Sequence, residues 1–317
     1  MKANCKNESE MLYARDLYGK ALIELGKKDP DVVVLDADLS GSTRTALFGK
    51  EFPDRFFNFG VAEQNMMASA AGLAQCGKIV FASTFAMFAT ARAVDQVRNT
   101  ICYNNLNVKI VASHGGLTVG EDGSSHQALE DINFFRAIPN IKIVVPVDAP
   151  EAKEAIFTAY KTPGPFYIRL GRAKVETLKK KKKFCLGKGY TLREGKDIAI
   201  VACGIMVKKS LCAADILKKQ GISATVVNMH TIKPFDEKLI LDIAKQHKKI
   251  IVCEEHQVTG GLYSTVAEIL INKFPIRVER VGISNIFGQS GSPEELLKHY
   301  GLTADNIAEK AKRVLRQ

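Results

Sequence analysis

The sequence predicts an α/β protein of two domains, each a mostly parallel sheet with helices on both faces. Short apolar strands alternate with segments of helical period along almost the whole chain. The connections between them are short, as parallel βαβ units require. The alternation stops at a basic run, Lys179 to Lys183, and then restarts. At 317 residues the chain exceeds what one hydrophobic core usually serves. The expected domains are residues 1–185 and 186–317.

In the first domain, Leu12 to Gly26 has an amphipathic helical period ending at a glycine, and Asp31 to Asp36 is a buried strand. Ala62 to Gly77 predicts a helix rich in small residues, Lys78 to Ala82 a strand, Phe85 to Tyr103 a helix and Asn107 to Ser113 a strand. A glycine-rich loop at 115–123 precedes a short helix near Glu130, a strand at Ile141 to Val145, a helix from Pro150 and a strand at Pro165 to Leu170. The second domain repeats the alternation with strands Asp197 to Ala202, Ser223 to Val227, Lys249 to Cys253 and Ile276 to Val281. Its helices are Ile205 to Gln220, Asp236 to His247, Gly260 to Ile271 and a closing stretch from Pro293 through Leu315.

Composition narrows the function classes. The formal charge of +11 is spread along the chain, and the one lysine run reads as a solvated linker, so nucleic-acid binding is not the expected role. An attraction for phosphorylated metabolites is consistent with it. The seven cysteines stand singly, without CxxC or zinc spacing, and no secretory leader is visible, which points to a reducing, cytoplasmic setting. No apolar run approaches the ~18 residues of a membrane span.

In an open α/β sheet, ligands bind beyond the carboxyl ends of the strands, and the polar residues concentrate there. Asp36 to Arg44 follows the first strand, Gly60 to Asn65 opens the small-residue helix, and Ser113 to Gln127 follows the strand at 107–113. Glu63 lies in a first helical turn among apolar residues; this is a functional acid or an ordinary cap. Phe85 and Phe88, three residues apart, share a helix face and either clamp a flat ring or belong to the core. His114 and His126 flank a loop carrying Asp122, a set suited to proton transfer and to holding hydroxyl or phosphate oxygens. Histidines twelve positions apart without an adjacent third ligand fit no zinc pattern, so no metal site is expected on this chain.

Gly60-Val61-Ala62-Glu63-Gln64, Ser83-Thr84-Phe85 and, above all, His114 with Gly120-Glu121-Asp122-Gly123-Ser124-Ser125-His126-Gln127 resemble the C-terminal half of transketolase, its pyrimidine-binding and C-terminal domains. The resemblance implies transfer of a two-carbon ketol unit between sugar phosphates with thiamine diphosphate and a divalent ion, Mg²⁺ or Ca²⁺. It assigns Glu63 to the pyrimidine nitrogen, where it favours the imino tautomer that removes the thiazolium proton. It assigns Phe85 and Phe88 to the ring pocket, with Ala91 where a third aromatic belongs, and Asp38 to the thiamine cleft. His114 and His126 match histidines at the substrate carbonyl and hydroxyls, and Asp122 the acid that reads a sugar hydroxyl. Arg15, Ser42 and Arg169 match groups holding the sugar phosphate, a task that suits the fork of a guanidinium.

The Gly-Asp-Gly stretch that binds metal and diphosphate in thiamine enzymes does not occur here. The resemblance therefore implies a two-chain enzyme: the cofactor is shared with an N-terminal transketolase subunit that binds the metal and diphosphate, in a self-associating α₂β₂ assembly. Alternatives are a deoxyxylulose-phosphate-synthase-like subunit, the β subunit of a 2-oxo acid dehydrogenase, and a non-catalytic relative that binds nucleic acid. The last has no need of Glu63, His114, Asp122 and His126 together.

Overall fold

The computed structural model describes residues 10–178 and 182–317. Most of the lysine run that was expected to be a linker lies outside these residues.

Two sheets organise the chain. The first has seven strands, six of them from the first half: β1 (Val32–Asp36), β2 (Phe56–Asn58), β3 (Ile79–Phe85), β4 (Val108–Ser113), β5 (Lys142–Val144) and β6 (Phe166–Arg169). They lie in the order β5-β6-β4-β3-β1-β2, and every neighbouring pair is parallel. β1, β4 and β6 are buried at every residue, which is why they read as continuous apolar runs instead of alternating ones. The second sheet contains β7 (Tyr190–Arg193), β8 (Ile198–Ala202), β9 (Ala224–Asn228), β11 (Lys249–Gln257) and β12 (Arg277–Ile283), ordered β12-β11-β8-β9-β7 with only β7 antiparallel.

β10 (Thr231–Lys233) comes from the second half of the sequence but pairs antiparallel with β5 at the edge of the first sheet. The short apolar run is not distinguishable from a loop in the sequence. This strand stitches the two halves together, and one apolar core runs from β3 and β4 through Val145 and Ile232 to Val201 and Val252.

Helices cover both faces. α1 (Ala14–Lys28) and α3 (Ala149–Lys161) pack on one face of the first sheet, and α2 (Glu63–Gln75) on the other. The small residues of α2 bury Ala70, Ala71 and Ala74 against β3. The predicted helix Phe85–Tyr103 is not continuous. β3 runs to Phe85, and wide π-type turns at Phe88–Arg92 and Val97–Cys102 flank a single α turn at Val94–Gln96. The Thr90 hydroxyl donates to the Ala86 carbonyl within the first wide turn. The closing helical stretch likewise divides into Pro293–His299 and Ala304–Arg316, parted where Gly301 takes a left-handed φ of +70° and Thr303 caps the second helix.

Candidate active site

β1, β3 and β4 are neighbours in the sheet, so the segments leaving their carboxyl ends converge. Phe85 ends β3, Phe88 follows it, and His114 follows β4. The rings of Phe85 and His114 stack with centroids 3.7 Å apart. Phe85 and Phe88 lie 5.8 Å apart, and His126 meets Phe88 edge-on at 5.3 Å. Four of the residues expected at the site thus form one cluster.

His114 has a left-handed φ of +61°, unusual for a residue with a side chain. Its Nδ1 lies 2.8 Å from the Ser113 hydroxyl. Burial, then the positive charges of Arg15 and Arg172, push its pKa down to about 3, so the ring is neutral at physiological pH. It can donate or accept a hydrogen bond but does not bring a positive charge. His126 is half-buried in the short turn Ser124–His126, and Asp122 is exposed at the end of the preceding turn.

Glu63 opens α2 with its side chain buried, and its Oε1 accepts from Nη1 of Arg92 at 2.9 Å. The same guanidinium lies 4.0 Å from the centre of the Phe88 ring. Arg92 therefore links the acid to the aromatic pair, and its pairing with Glu63, 29 residues away, is a long-range contact. Arg92 engages Oε1 of Glu63, and a carboxyl beside an aromatic pair suits a heteroaromatic ring with a basic nitrogen, which the carboxyl can hold by a hydrogen bond while the rings pack on its face. These residues fit the pyrimidine end of thiamine diphosphate.

A positive mouth borders the cluster. Arg15, in the first turn of α1, donates to the Ser42 carbonyl at 3.1 Å. Its pKa is lowered by burial, then by the neighbouring charge of Arg44, with Arg172 adding to the effect. Arg44 is paired with Asp16 and Arg172 with Glu121, each at 2.7 Å. Among the described residues Arg15 has no acidic partner within ion-pair distance. Asp36, buried at the end of β1, accepts from the hydroxyls of Thr43 and Thr45, both at 2.7 Å, and from the Leu39 N–H. This fixes the loop that presents Ser42. Asp38 is exposed on that loop with a φ of +64°, its N–H bonded to Asn58, and its contacts do not reach the aromatic cluster.

Arg169 is a correction. It is the last residue of β6 and only 6% exposed, its Nε 2.7 Å from Asp131 and its Nη2 donating to the carbonyls of Ala128 and Glu255. A side chain buried at the end of the sheet, with Nε and Nη2 committed to Asp131, Ala128 and Glu255, does not suit a phosphate at the mouth. Arg172, three residues on and outside the strand, lies close enough for its charge to lower the pKa of both Arg15 and His114. The sequence signal was present, since ligand groups lie beyond strand ends and not within them.

Comparison with known proteins identifies the family. Residues 10–177 match the transketolase pyrimidine-binding domain, and residues 187–307 the transketolase C-terminal domain. The chain is 51% identical over 297 residues to a putative transketolase C-terminal section of Methanocaldococcus jannaschii, covering 92% of this chain and 93% of that protein. It is 41% identical to a 6-deoxy-6-sulfo-D-fructose transketolase subunit of a Clostridium species, covering 95% and 94%. A 1-deoxy-D-xylulose-5-phosphate synthase of Caldanaerobacter subterraneus is also 41% identical, but this chain spans only 47% of it. Among solved structures, a split-gene transketolase described as an inactive β4 tetramer superposes with a TM-score of 0.90 at 48% identity, covering 96% of this chain and 99% of that one. The chain belongs to the transketolase family and carries its pyrimidine-binding and C-terminal domains, as split transketolase C-terminal sections do.

Proposed function

We propose that this chain is the C-terminal subunit of a two-chain transketolase, moving a two-carbon ketol unit between sugar phosphates in the cytoplasm. The observation that carries this reading is the convergence of Glu63, Phe85, Phe88, His114 and His126 with the arginine mouth. Thiamine diphosphate, when bound, supplies the carbon nucleophile that attacks the ketose carbonyl. Glu63 holds the pyrimidine nitrogen by sharing a proton with it, and the Phe85–Phe88 pair provides the apolar wall of the ring pocket. His114, neutral and locked by its stack on Phe85, orients a substrate hydroxyl. His126 stabilises or protonates the oxygen that gains charge as the carbonyl is attacked. Asp122 accepts from a further hydroxyl, and Arg15 and Arg172 clamp the phosphate near Ser42.

The metal and the diphosphate belong, in this reading, to a partner subunit with a Gly-Asp-Gly motif, in an α₂β₂ assembly. The absence of that motif from this sequence supports the division. The test is reconstitution. The purified chain should bind thiamine diphosphate poorly and transfer no glycolaldehyde unit, and activity should appear when the diphosphate-binding subunit is added. Strong transfer by the isolated chain defeats the two-chain reading. A reconstituted complex without transfer defeats the activity.

A further inference from the structure

The catalytic loop rests on two side chains that do not face its ligand side. Arg169 lies beneath Gly115, where a Cβ would come within 2.8 Å of its Nε. Glu255, near the end of β11 in the second domain, lies beneath Gly116, where a Cβ would collide with its carboxyl group. Oε1 of Glu255 accepts from the Thr118 N–H at 2.6 Å. The Ala128 carbonyl, just past His126, accepts from both the Gly116 N–H and Arg169 Nη2, each at 2.9 Å. Both stems of the loop bearing His114, Asp122 and His126 are therefore tied to one buried pedestal.

Asp131 supplies the counter-charge to Arg169 within that pedestal. Asp131 is fully buried and accepts from Arg169 Nε and from the Tyr167 hydroxyl. His256 places its Nε2 3.9 Å from the other oxygen of Asp131. Burial alone would lower the pKa of Arg169, but Asp131 and Glu255 more than offset this and raise it, so the guanidinium stays charged. With Arg169 paired to Asp131, the Glu255 carboxyl is left to the loop backbone.

We propose that Glu255 is a positioning residue for ketol transfer: the second domain reaches across the interface and sets the height of the histidine loop through the Thr118 N–H and the Gly115-Gly116 backbone. It touches neither substrate nor cofactor. The kinetic half of this rests on the reading under Proposed function. Hydrogen exchange tests the anchor in the chain itself.

Three variants separate contact from charge. Glu255→Gln keeps an oxygen for Thr118 and loses the charge; Glu255→Asp keeps the charge and withdraws it by a methylene; Glu255→Ala loses both. In Asp and Ala, amide exchange at Thr118 should accelerate at least about tenfold, with β8 and α4 (Met206–Lys218) unchanged. In the reconstituted enzyme, kcat for ketose cleavage should fall about ten- to a hundredfold, while C2–H exchange of the bound cofactor and its affinity stay at wild-type levels. Gln should stay within about threefold of wild type on every readout. Impaired Gln with normal Asp would reassign Glu255 to charge balance and overturn the anchoring. So would Asp and Ala variants with fast Thr118 exchange but normal kcat, or a loss of cofactor activation together with turnover. Should Ala fail to fold, the Gln–Asp contrast decides. If the wild-type complex lacks ketol transfer, the kinetic claim falls with that reading, whereas unchanged Thr118 exchange in Asp overturns the anchor alone.

Discussion

Phe85 ends one strand and His114 follows its parallel neighbour, and their rings stack with centroids 3.7 Å apart. Burial acts first on the imidazole, and the positive charges of Arg15 and Arg172 add to it. Both favour a neutral ring, and its pKa is pushed down to about 3. His114 ring resonances should therefore not titrate between pH 5 and 8, and the pH profile of kcat/KM should contain no limb that disappears in His114→Asn. A ring titrating near pH 6.5 in NMR would contradict this environment.

The arginines should divide into two classes. Arg15→Ala and Arg172→Ala should raise KM for phosphorylated sugars more than for unphosphorylated donors. Loss of one charge-assisted contact costs on the order of 1.5–3 kcal/mol, roughly 10- to 150-fold. Arg169→Ala leaves Asp131 buried without its counter-ion, so it should destabilise the fold by about 3–5 kcal/mol in urea unfolding. A stable Arg169→Ala protein with only a raised KM for phosphates would return that residue to the mouth.

Glu63→Gln and His126→Ala should fail at different steps. Glu63→Gln should nearly abolish H/D exchange at the cofactor C2 position in the reconstituted enzyme, since an amide cannot share the proton in the same way. His126→Ala should leave that exchange fast and lower kcat for ketose cleavage by about 10²-fold. Both variants losing exchange equally would assign both residues to the cofactor.

Acid sensitivity should track His256. It is fully buried, and burial pushes its pKa down to about 4. Between pH 6.5 and 4 the unfolded chain takes up this proton and the folded one does not, so this contribution to stability falls as pH falls. Glu254 beside it, pushed up to about 7 by burial, runs the other way: its contribution falls as pH rises from 4.5 to 7. His256→Gln leaves the second effect alone. Relative to wild type it should gain up to about 2 kcal/mol between pH 7 and pH 5 in urea unfolding. A pH-independent difference would mean that His256 is not neutral in the fold.

The sequence by itself determined the alternation of strands and helices, the two-domain α/β class and the residues of the histidine loop. Buried parallel strands must be apolar throughout, and glycine is required where backbone meets a side chain, as at Gly116 with its φ of +91°. Phe85, Phe88, His114 and His126 were legible as candidates because they stand just past strand ends. Their meeting was not, since it depends on β3 and β4 being neighbours in the sheet. Tertiary structure alone decided that β10 crosses to the first sheet, that Arg92 joins Glu63 to Phe88, and that Arg169 is buried against Asp131. The physical reason is common to all three. Local pattern reports which face of an element is apolar, whereas the partner of a charged side chain or an edge strand is set by long-range packing, where every buried donor must find an acceptor.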